Sequence, residues 1–163
     1  MPGTPALRDF LSLSYDTELR PRDEALTAIG TVAVDAAEFS GVRFQAESMG
    51  YRVFELRGTR MRTLGALYDE FAAALQFPYF FRPNKDSFDE CMWDLFDTAD
   101  HPGSGYLLAI RDAGELLAAE PHEREWFAEA IDDYSTVWQR LNLLFRVVLQ
   151  GGPEGLAAVP IHL

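Results

Sequence analysis

The sequence predicts an α/β fold in which a three-stranded parallel sheet is packed with helices. Three short apolar segments, residues 53–56, 106–110 and 143–150, are typical of strands buried in such a sheet. Two amphipathic helical patterns separate the first segment from the second, and a longer one precedes the third. Helical crossovers of this length join parallel strands, and the right-handed crossover rule leaves essentially one arrangement of the three.

The first strand and the helix after it have clear boundaries in the sequence. Residues 53–56 are apolar apart from one glutamate, and Gly58 ends the strand. Apolar side chains recur at helical spacing in residues 64–75, so we expect a helix there with Thr63 as its N-cap. Pro78 then prevents this helix from continuing.

Residues 86–97 form the second predicted helix, and its two sides differ in chemistry. One side carries apolar residues at positions i, i+3, i+4, i+7 and i+8, namely Phe88, Cys91, Met92, Leu95 and Phe96. The opposite side carries Asp86, Asp89, Glu90, Trp93, Asp94 and Asp97. Trp93 therefore falls among carboxylates, and we expect its indole to be partly exposed there.

The second half of the chain supplies the other two strands. Residues 106–110 are apolar throughout, which is typical of a parallel strand buried on both faces. We expect Asp112 to cap a short helix that Pro121 interrupts, and a longer helix to cover residues 123–141. The last strand, residues 143–150, follows that helix.

The chain divides into three predicted parts. Residues 51–150 form the α/β domain, residues 1–50 form an N-terminal extension, and residues 151–163 form a loose C-terminal tail. A β-branched run within residues 27–39 predicts a short strand or hairpin in the extension.

The formal net charge of −12 limits the classes of partner. A field of this sign repels phosphates, so we expect no nucleic-acid binding and favour a basic protein as the partner.

The 163 residues are 48% hydrophobic, which is enough to bury the core of one domain. No apolar run is long enough to cross a bilayer, and the first residues do not resemble an export signal. We therefore expect a cytoplasmic protein that does not bind a membrane.

The sequence does not indicate enzymatic chemistry. It contains no GxSxG, P-loop, HExxH or GxGxxG motif, and its three histidines stand apart. Cys91 is the only cysteine, which excludes an internal disulfide and a cysteine-based zinc site. Asp94, Asp97, Asp100 and His101 could gather around a divalent cation, but their spacing matches no EF-hand loop. We therefore expect no catalytic residues, no metal and no cofactor.

The acidic side of the second helix has two interpretations. An exposed aromatic ring in a charged field is typical of a protein interface, because the ring supplies contact area and the charges supply orientation. The alternative is a solvated helix face with one amphipathic tryptophan. The helix dipole disfavours the negative charges of Asp94 and Asp97 near the end of the helix, and neither residue has a Lys or Arg at position i+4 to pair with. Folding alone does not explain their local cost of roughly a few tenths of a kcal/mol each.

Residues 63–95, TLGALYDEFAAALQFPYFFRPNKDSFDECMWDL, resemble the barstar family, the small intracellular inhibitors of secreted bacterial ribonucleases related to barnase. The shared pattern is a strand ending in a glycine turn, a leucine-rich helix, and then Phe77, Pro78, Phe80, Phe81, Asn84, Asp86, Phe88, Glu90, Cys91, Asp94 and Leu95. The segments YLLAI and FRVVL are similar to the second and third strands of the family. The resemblance therefore covers residues 51–150.

The resemblance implies a function for the acidic helix. In that family, the loop and the second helix present an aromatic residue and carboxylates to the cationic active site of the ribonuclease, in places meant for RNA phosphates. By position, Phe80 matches the aromatic contact, Asp86 an acidic contact and Glu90 the central acid. A further acid from the later helix corresponds to Asp133, or to Asp132 if the alignment shifts by one residue. With the acidic side of the helix added, the expected partner-binding residues are Phe80, Asn84, Asp86, Asp89, Glu90, Trp93, Asp97 and Asp133.

The chain departs from the pattern of the family around the loop. Arg82 stands where the family has a glycine and is followed by Pro83, which predicts a different path for the loop. Lys85 adds a second positive charge beside the acids. Asp89 replaces an aromatic residue, and we expect Trp93 to serve instead.

Two functions follow from these observations as hypotheses. The first is a monomeric, immunity-like inhibitor in the bacterial cytoplasm that blocks a basic ribonuclease or nuclease toxin and performs no chemistry itself. The second is a barstar-like regulatory module that binds another protein through the N-terminal extension and inhibits no nuclease.

Overall fold

The computed structural model describes residues 3–12, 15, 27–95 and 103–163. The strands in these residues are β1 (Ile29–Val32), β2 (Tyr51–Arg57), β3 (Gly105–Arg111), β4 (Leu144–Gln150) and β5 (Val159–Pro160). The α-helices are α1 (Leu7–Phe10), α2 (Ala36–Phe39), α3 (Gly41–Ser48), α4 (Leu64–Leu75), α5 (Lys85–Trp93) and α6 (Arg124–Gln139). None of the helices in these ranges is both long enough and apolar enough to span a membrane.

The five strands form one parallel sheet in the order β2-β3-β4-β1-β5. The α/β class and the parallel arrangement of the three predicted strands are confirmed, and these strands are β2, β3 and β4. The number of strands is wrong, because β1 and β5 extend the sheet beyond β4. The short strand predicted in residues 27–39 is β1, which pairs Ile29 with Val147.

The C-terminal tail is not loose along its whole length, since β5 pairs with β1 through Gly30 and Val159. β5 consists of two residues, and one of them is Pro160, which cannot donate a backbone hydrogen bond to a neighbouring strand. A strand this short has too few side chains to show a periodic pattern, so the sequence does not reveal it.

Helices cover both faces of the sheet. Alternate residues of β3 point to opposite sides, so Tyr106, Leu108 and Ile110 join the core under α4, α5 and α6. Leu107 and Ala109 join a second core with α1, α2 and α3. This confirms that residues 106–110 are buried on both faces, and it places the N-terminal extension as the second covering layer.

Arg146 in β4 connects the two layers. Its side chain is 2% exposed, and its Nη1 donates to the hydroxyl of Ser135 on α6 over 3.0 Å. Its guanidinium also lies 5.6 Å from the centre of the Phe10 ring on α1. A buried arginine is tolerated only with such partners, so α1 and α6 are both tied to the same strand.

The segment from β2 to α4 is fixed by two specific features. A Cβ atom on Gly58 would lie 2.1 Å from the carbonyl oxygen of Asp112, so only glycine allows the end of β2 to approach the end of β3 this closely. α4 begins as predicted, because the side chain of Thr63 accepts a hydrogen bond from the backbone N–H of Ala66 over 3.1 Å.

A short helical turn does follow Asp112, but the predicted side-chain cap is wrong. Asp112 has a φ of 51° and its side chain caps no helix. It leads into a short 3-10 turn, Ala113–Glu115, and Pro121 begins another, Pro121–Glu123, immediately before α6. Its backbone N–H donates instead to the side chain of Gln150 at the end of β4, so the residue links the carboxyl ends of β3 and β4.

Replacing Phe10 with alanine should lower the free energy of unfolding by about 3–5 kcal/mol, because its ring is fully buried under the sheet. Phe44 is the matched control, since it lies in the same layer but is 69% exposed. Phe44→Ala should change the stability by less than about 0.5 kcal/mol. Urea unfolding followed by circular dichroism measures both, and equal small effects would show that α1 does not cover the core.

Glu70→Gln should lower the free energy of unfolding near neutral pH by about 1–3 kcal/mol. The Glu70 carboxylate is 8% exposed and accepts hydrogen bonds from the backbone N–H, Nε and Nη2 of Arg57. These bonds hold the pKa of Glu70 below its ordinary value of 4.5 in the folded protein. The contribution of the carboxylate is therefore present above its unfolded pKa and is lost as the pH falls through the lower, folded pKa.

Urea titrations over a series of decreasing pH values should show the stability gap between the wild type and Glu70→Gln closing in the acidic range. Asp69→Asn, at the exposed neighbouring position, controls for the loss of one negative charge. A gap that stays constant with pH would mean that the ion pair is not its origin.

Candidate protein-binding face

The loop between α4 and α5, residues 76–84, is anchored where α5 begins. The side chain of Asn84 accepts a hydrogen bond from the backbone N–H of Ser87 over 2.8 Å, so Asn84 is the N-cap of α5. The hydroxyl of Ser87 in turn accepts from the backbone N–H of Arg82 over 2.9 Å. These two bonds, both through Ser87, fix the end of the loop against the first turn of the helix.

The aromatic residues of the loop divide into an inner and an outer pair. The rings of Phe77 and Phe81 lie 5.0 Å apart at their centres and pack against the core. Tyr79 is 97% exposed and Phe80 is 55% exposed, with ring centres 5.9 Å apart. The loop thus presents two adjacent rings to solvent. The sequence singles out only Phe80, because a loop has no periodicity that would show Tyr79 pointing outward.

α5 divides its side chains as the helical wheel predicts. Phe88, Cys91 and Met92 are buried, whereas Asp86, Glu90 and Asp94 are exposed. Trp93 is 36% exposed, in agreement with the partly exposed indole expected among carboxylates. The helix begins one residue before its predicted start. It ends at Trp93, with Asp94 as its C-cap, so the predicted end at Asp97 is wrong by four residues. Asp97 itself lies outside the described residues, as do Asp100 and His101 of the possible cation cluster.

Two hydrogen bonds join the acidic side of α5 to α6. The Asp89 carboxylate accepts from the hydroxyl of Tyr134, which is fully buried. Burial raises the pKa of Tyr134 above its ordinary value, and the hydrogen bond to Asp89 raises it further. The indole N–H of Trp93 donates to Asp133 over 3.2 Å. Asp89 and Asp133 therefore orient the acidic helix in addition to contributing charge.

Asp132 and Asp133 are the two candidates for the acid that α6 contributes, and the structure places them differently. Its carboxylate accepts from the backbone N–H of Ala28 over 2.8 Å, so it faces the start of β1. Asp133 is the one that meets α5. The geometry therefore favours Asp133 as the member of the face.

The two basic residues near the face are already engaged within the protein. The Nζ atom of Lys85 lies 2.8 Å from a carboxylate oxygen of Glu123 and 5.0 Å from the centre of the Trp126 ring. The guanidinium of Arg82 donates to the carbonyl oxygens of Phe80 and Phe81 over 3.3 and 3.2 Å. Lys85 is thus directed towards the start of α6, and Arg82 is folded back on its own loop.

A cleft of about 260 Å³ lies between the loop and α5. Its apolar lining includes Phe77, Pro78, Phe80 and Leu95, and Glu90 and Asp94 also line it. Cys91 contributes to the cleft but is 5% exposed. Burial raises the pKa of the Cys91 thiol, and the negative charges of Glu90 and Asp94 raise it further. The thiol is therefore a weak nucleophile near neutral pH.

The described residues offer no site for a metal ion, since no group of three or more potential ligands lies together among them. This region supplies surface for non-covalent contacts. It combines an adjacent pair of outer rings, a row of exposed carboxylates and an apolar cleft.

The fold and this face define an α/β domain with an acidic, aromatic-bearing surface. The family model described as Barstar (barnase inhibitor) matches residues 51–150, and the chain belongs to the barstar family. The resemblance seen in the sequence is thereby confirmed. The family description is that of a protein inhibitor rather than an enzyme. No curated protein matches the chain.

The matched region runs from the start of β2 to the end of β4. It includes the loop, α5 and α6, so every described residue of the acidic face lies inside it. β1, β5 and the helices of the second layer lie outside it.

Asp89→Ala should lower the free energy of unfolding by about 1–3 kcal/mol, because it leaves the buried hydroxyl of Tyr134 without its acceptor. Glu90→Ala, one position along at an exposed site, should cost less than about 0.5 kcal/mol. Removing both partners in Asp89→Ala/Tyr134→Phe should recover part of the loss. A double-mutant cycle by urea unfolding measures this coupling, and strictly additive effects would argue against the bond.

Proposed function

We propose that this protein is a non-catalytic, immunity-like inhibitor that binds and blocks a basic ribonuclease or nuclease toxin through the loop 76–84 and α5. One observation carries the proposal. The exposed acids of α5 stand beside exposed aromatic rings, while Lys85 and Arg82 are engaged elsewhere. A face of this kind suits a cationic protein surface, and membership of the barstar family supports that class of partner.

The mechanism is the occupation of an active site. A ribonuclease binds the phosphates of RNA with cationic side chains, and carboxylates placed at the same spacing satisfy those cations without offering a bond to cleave. Asp86 and Glu90 on α5 supply these charges, and Phe80 supplies a ring for stacking. Long-range attraction between the −12 chain and a basic enzyme speeds the encounter.

The remaining proposed contact residues have distinct parts in this face. Asn84 caps α5 and so sets its direction, while Asp89 and Asp133 hold the helix and the Trp93 indole against α6. Asp97 extends the acidic row of the sequence. We add Tyr79 to the set, because its ring is the most exposed of the large apolar side chains in the described residues. The inhibitor acts as a monomer in the cytoplasm.

The alternative function is a regulatory module of the same family that inhibits no nuclease. It is favoured by the second helical layer, which lies outside the family match and exposes Phe44 on α3. Co-purification from the native host separates the two functions. A nuclease held through α5 supports inhibition, whereas a regulator held through α3 supports the alternative.

Addition of the purified protein to a panel of basic ribonucleases, including nucleases encoded beside it, should abolish RNA cleavage by at least one of them. Glu90→Ala and Trp93→Ala should each weaken inhibition by roughly tenfold or more, as expected for residues at the centre of an interface. Added salt should slow association, because it screens the attraction between the two proteins.

Glu38→Ala is the matched control for that experiment. Glu38 is an exposed acid on α2, in the helical layer on the opposite face of the sheet, so its loss changes the net charge without touching the proposed face. Equal effects of Glu90→Ala and Glu38→Ala would reject this choice of surface. Absence of binding across the whole panel would count against inhibition itself.

A further inference from the structure

We propose that a cavity at the amino ends of β2, β3 and β4 binds a small uncharged ring compound that carries an amide group. The cavity has a volume of about 250 Å³. Typical ligand pockets measure roughly 300–1,000 Å³, so this one suits a molecule of about one ring. The inference is separate from the proposed function, because Leu11, Tyr51 and Leu144 in its walls belong to the core on the opposite face of the sheet from α5.

The cavity lies where the N-terminal layer meets the family-matched region. Leu11 and Met49, at the ends of α1 and α3, form one side of it, and Tyr51, Ser104 and Leu144 form the other. The Tyr51 hydroxyl donates to the carbonyl oxygen of Leu11, and the Ser104 hydroxyl donates to that of Met49 over 2.6 Å. A ligand that contacts both sides would therefore hold the layer more firmly on the domain.

The walls of the cavity favour an uncharged ligand. None of the described residues that line it carries a charge, although charged residues make up 25% of the chain. Burial raises the pKa of Tyr51 above its ordinary value, and the positive charge of Arg146 only partly opposes the rise. The Tyr51 hydroxyl thus stays neutral near neutral pH. An ion would lose its hydration here without meeting an opposite charge.

The apolar part of the cavity suits a ring. Leu11 and Leu144 are 1% and 3% exposed, and Met49 is partly buried against the same core. A methionine side chain adapts to irregular shapes, and its thioether makes favourable contacts with aromatic rings. The ring of Tyr51 adds a further aromatic surface.

Asn142 supplies the polar group that identifies the amide. Its backbone, with a φ of 59°, is in the left-handed region, which asparagine tolerates. Its backbone N–H donates to the carbonyl oxygen of Gln139, but its exposed side-chain amide has no hydrogen bond to any other described residue. A side-chain amide offers a donor and an acceptor together. Another amide satisfies both, whereas a carboxylate satisfies only the donor.

The test follows amide shifts of the full-length ¹⁵N-labelled protein during titration with benzamide. Benzoate, which has the same shape and a negative charge, and acetophenone, which lacks the N–H donors, are titrated in parallel. Benzamide should bind with a Kd of roughly 1–10 mM, as expected for so small a ligand. It should shift the amides of Ser12, Tyr51, Ser104 and Leu144 and leave α5 unchanged. The other two compounds should bind at least about fivefold more weakly.

Two glycine variants locate the amide contact. Asn142→Gly removes the side-chain amide at the cavity, and Gln76→Gly removes an exposed amide elsewhere, at a residue whose φ is 56°. Glycine accepts the left-handed backbone freely, so neither change introduces strain. Asn142→Gly should weaken benzamide binding at least about fivefold, and Gln76→Gly should not change it.

Met49→Trp tests the cavity itself by filling it. This variant should abolish the benzamide shifts while its circular dichroism stays that of the wild type. If Met49→Trp does not fold, Asn142→Gly decides the question alone. Benzoate binding equal to that of benzamide, benzamide binding unaffected by Asn142→Gly, or an absence of shifts up to the solubility limit of benzamide would each overturn the inference.

Hydrogen exchange measures the effect of the ligand on the N-terminal layer. The amide of Leu11 donates to the carbonyl oxygen of Leu7 within this layer. Saturating benzamide should slow its exchange in the wild type, because a ligand that binds only the folded layer opposes its opening. The same concentration should leave the exchange of Leu11 unchanged in Asn142→Gly. Equal slowing in both proteins would reject the cavity as the origin of the effect.

Discussion

The burial of β3 and β4 on both faces is the constraint on which the rest of this structure depends. Their side chains alternate between two cores, so an uncovered face would expose a continuous apolar surface to water. The helices that cover one face come from the family-matched region, and those that cover the other come from residues 1–50. The N-terminal extension is therefore part of the core of this protein, and α5 is presented on a sheet supported from both sides.

The orientation of α5 follows from that support through contacts with α6. Tyr134 is fully buried above the sheet, and its hydroxyl holds Asp89. Lys85 reaches from the first turn of α5 to Glu123 beside the start of α6. These contacts, near the start and the middle of α5, fix its rotation as well as its position. Rigid presentation lowers the entropy lost on binding, which suits a helix that meets a preformed partner.

Periodicity in the sequence predicts the elements that have long repeating faces. Most of the predicted elements fall close to their predicted ranges, since each buries a stripe that recurs at 3.6 or 2 residues; they are α4, α6, β2, β3 and β4. The start of α5 is also close to its prediction, but the helix ends at Trp93, before its predicted end. β5 and the turn at Asp112 are not predictable in this way, because a short pairing with β1 decides the first and a bond to the side chain of Gln150 decides the second. The acidic and aromatic character of the face could be predicted, but not the outward ring of Tyr79 or the inward bond of Asp89. Both of these depend on which neighbour a side chain meets in three dimensions.

The contacts of the basic residues explain why the acidic face keeps its charge. Lys85 and Arg82 could have neutralised Asp86, Glu90 or Asp94 by simple proximity in the sequence. Instead, Lys85 pairs with Glu123 and Arg82 bonds to carbonyl groups of its own loop. The exposed acids thus repel one another with no ion pair among the described residues to offset the cost. Because no ion pair in the described part of the chain offsets the repulsion between Glu90 and Asp94, the compensating positive charge is expected to come from another molecule.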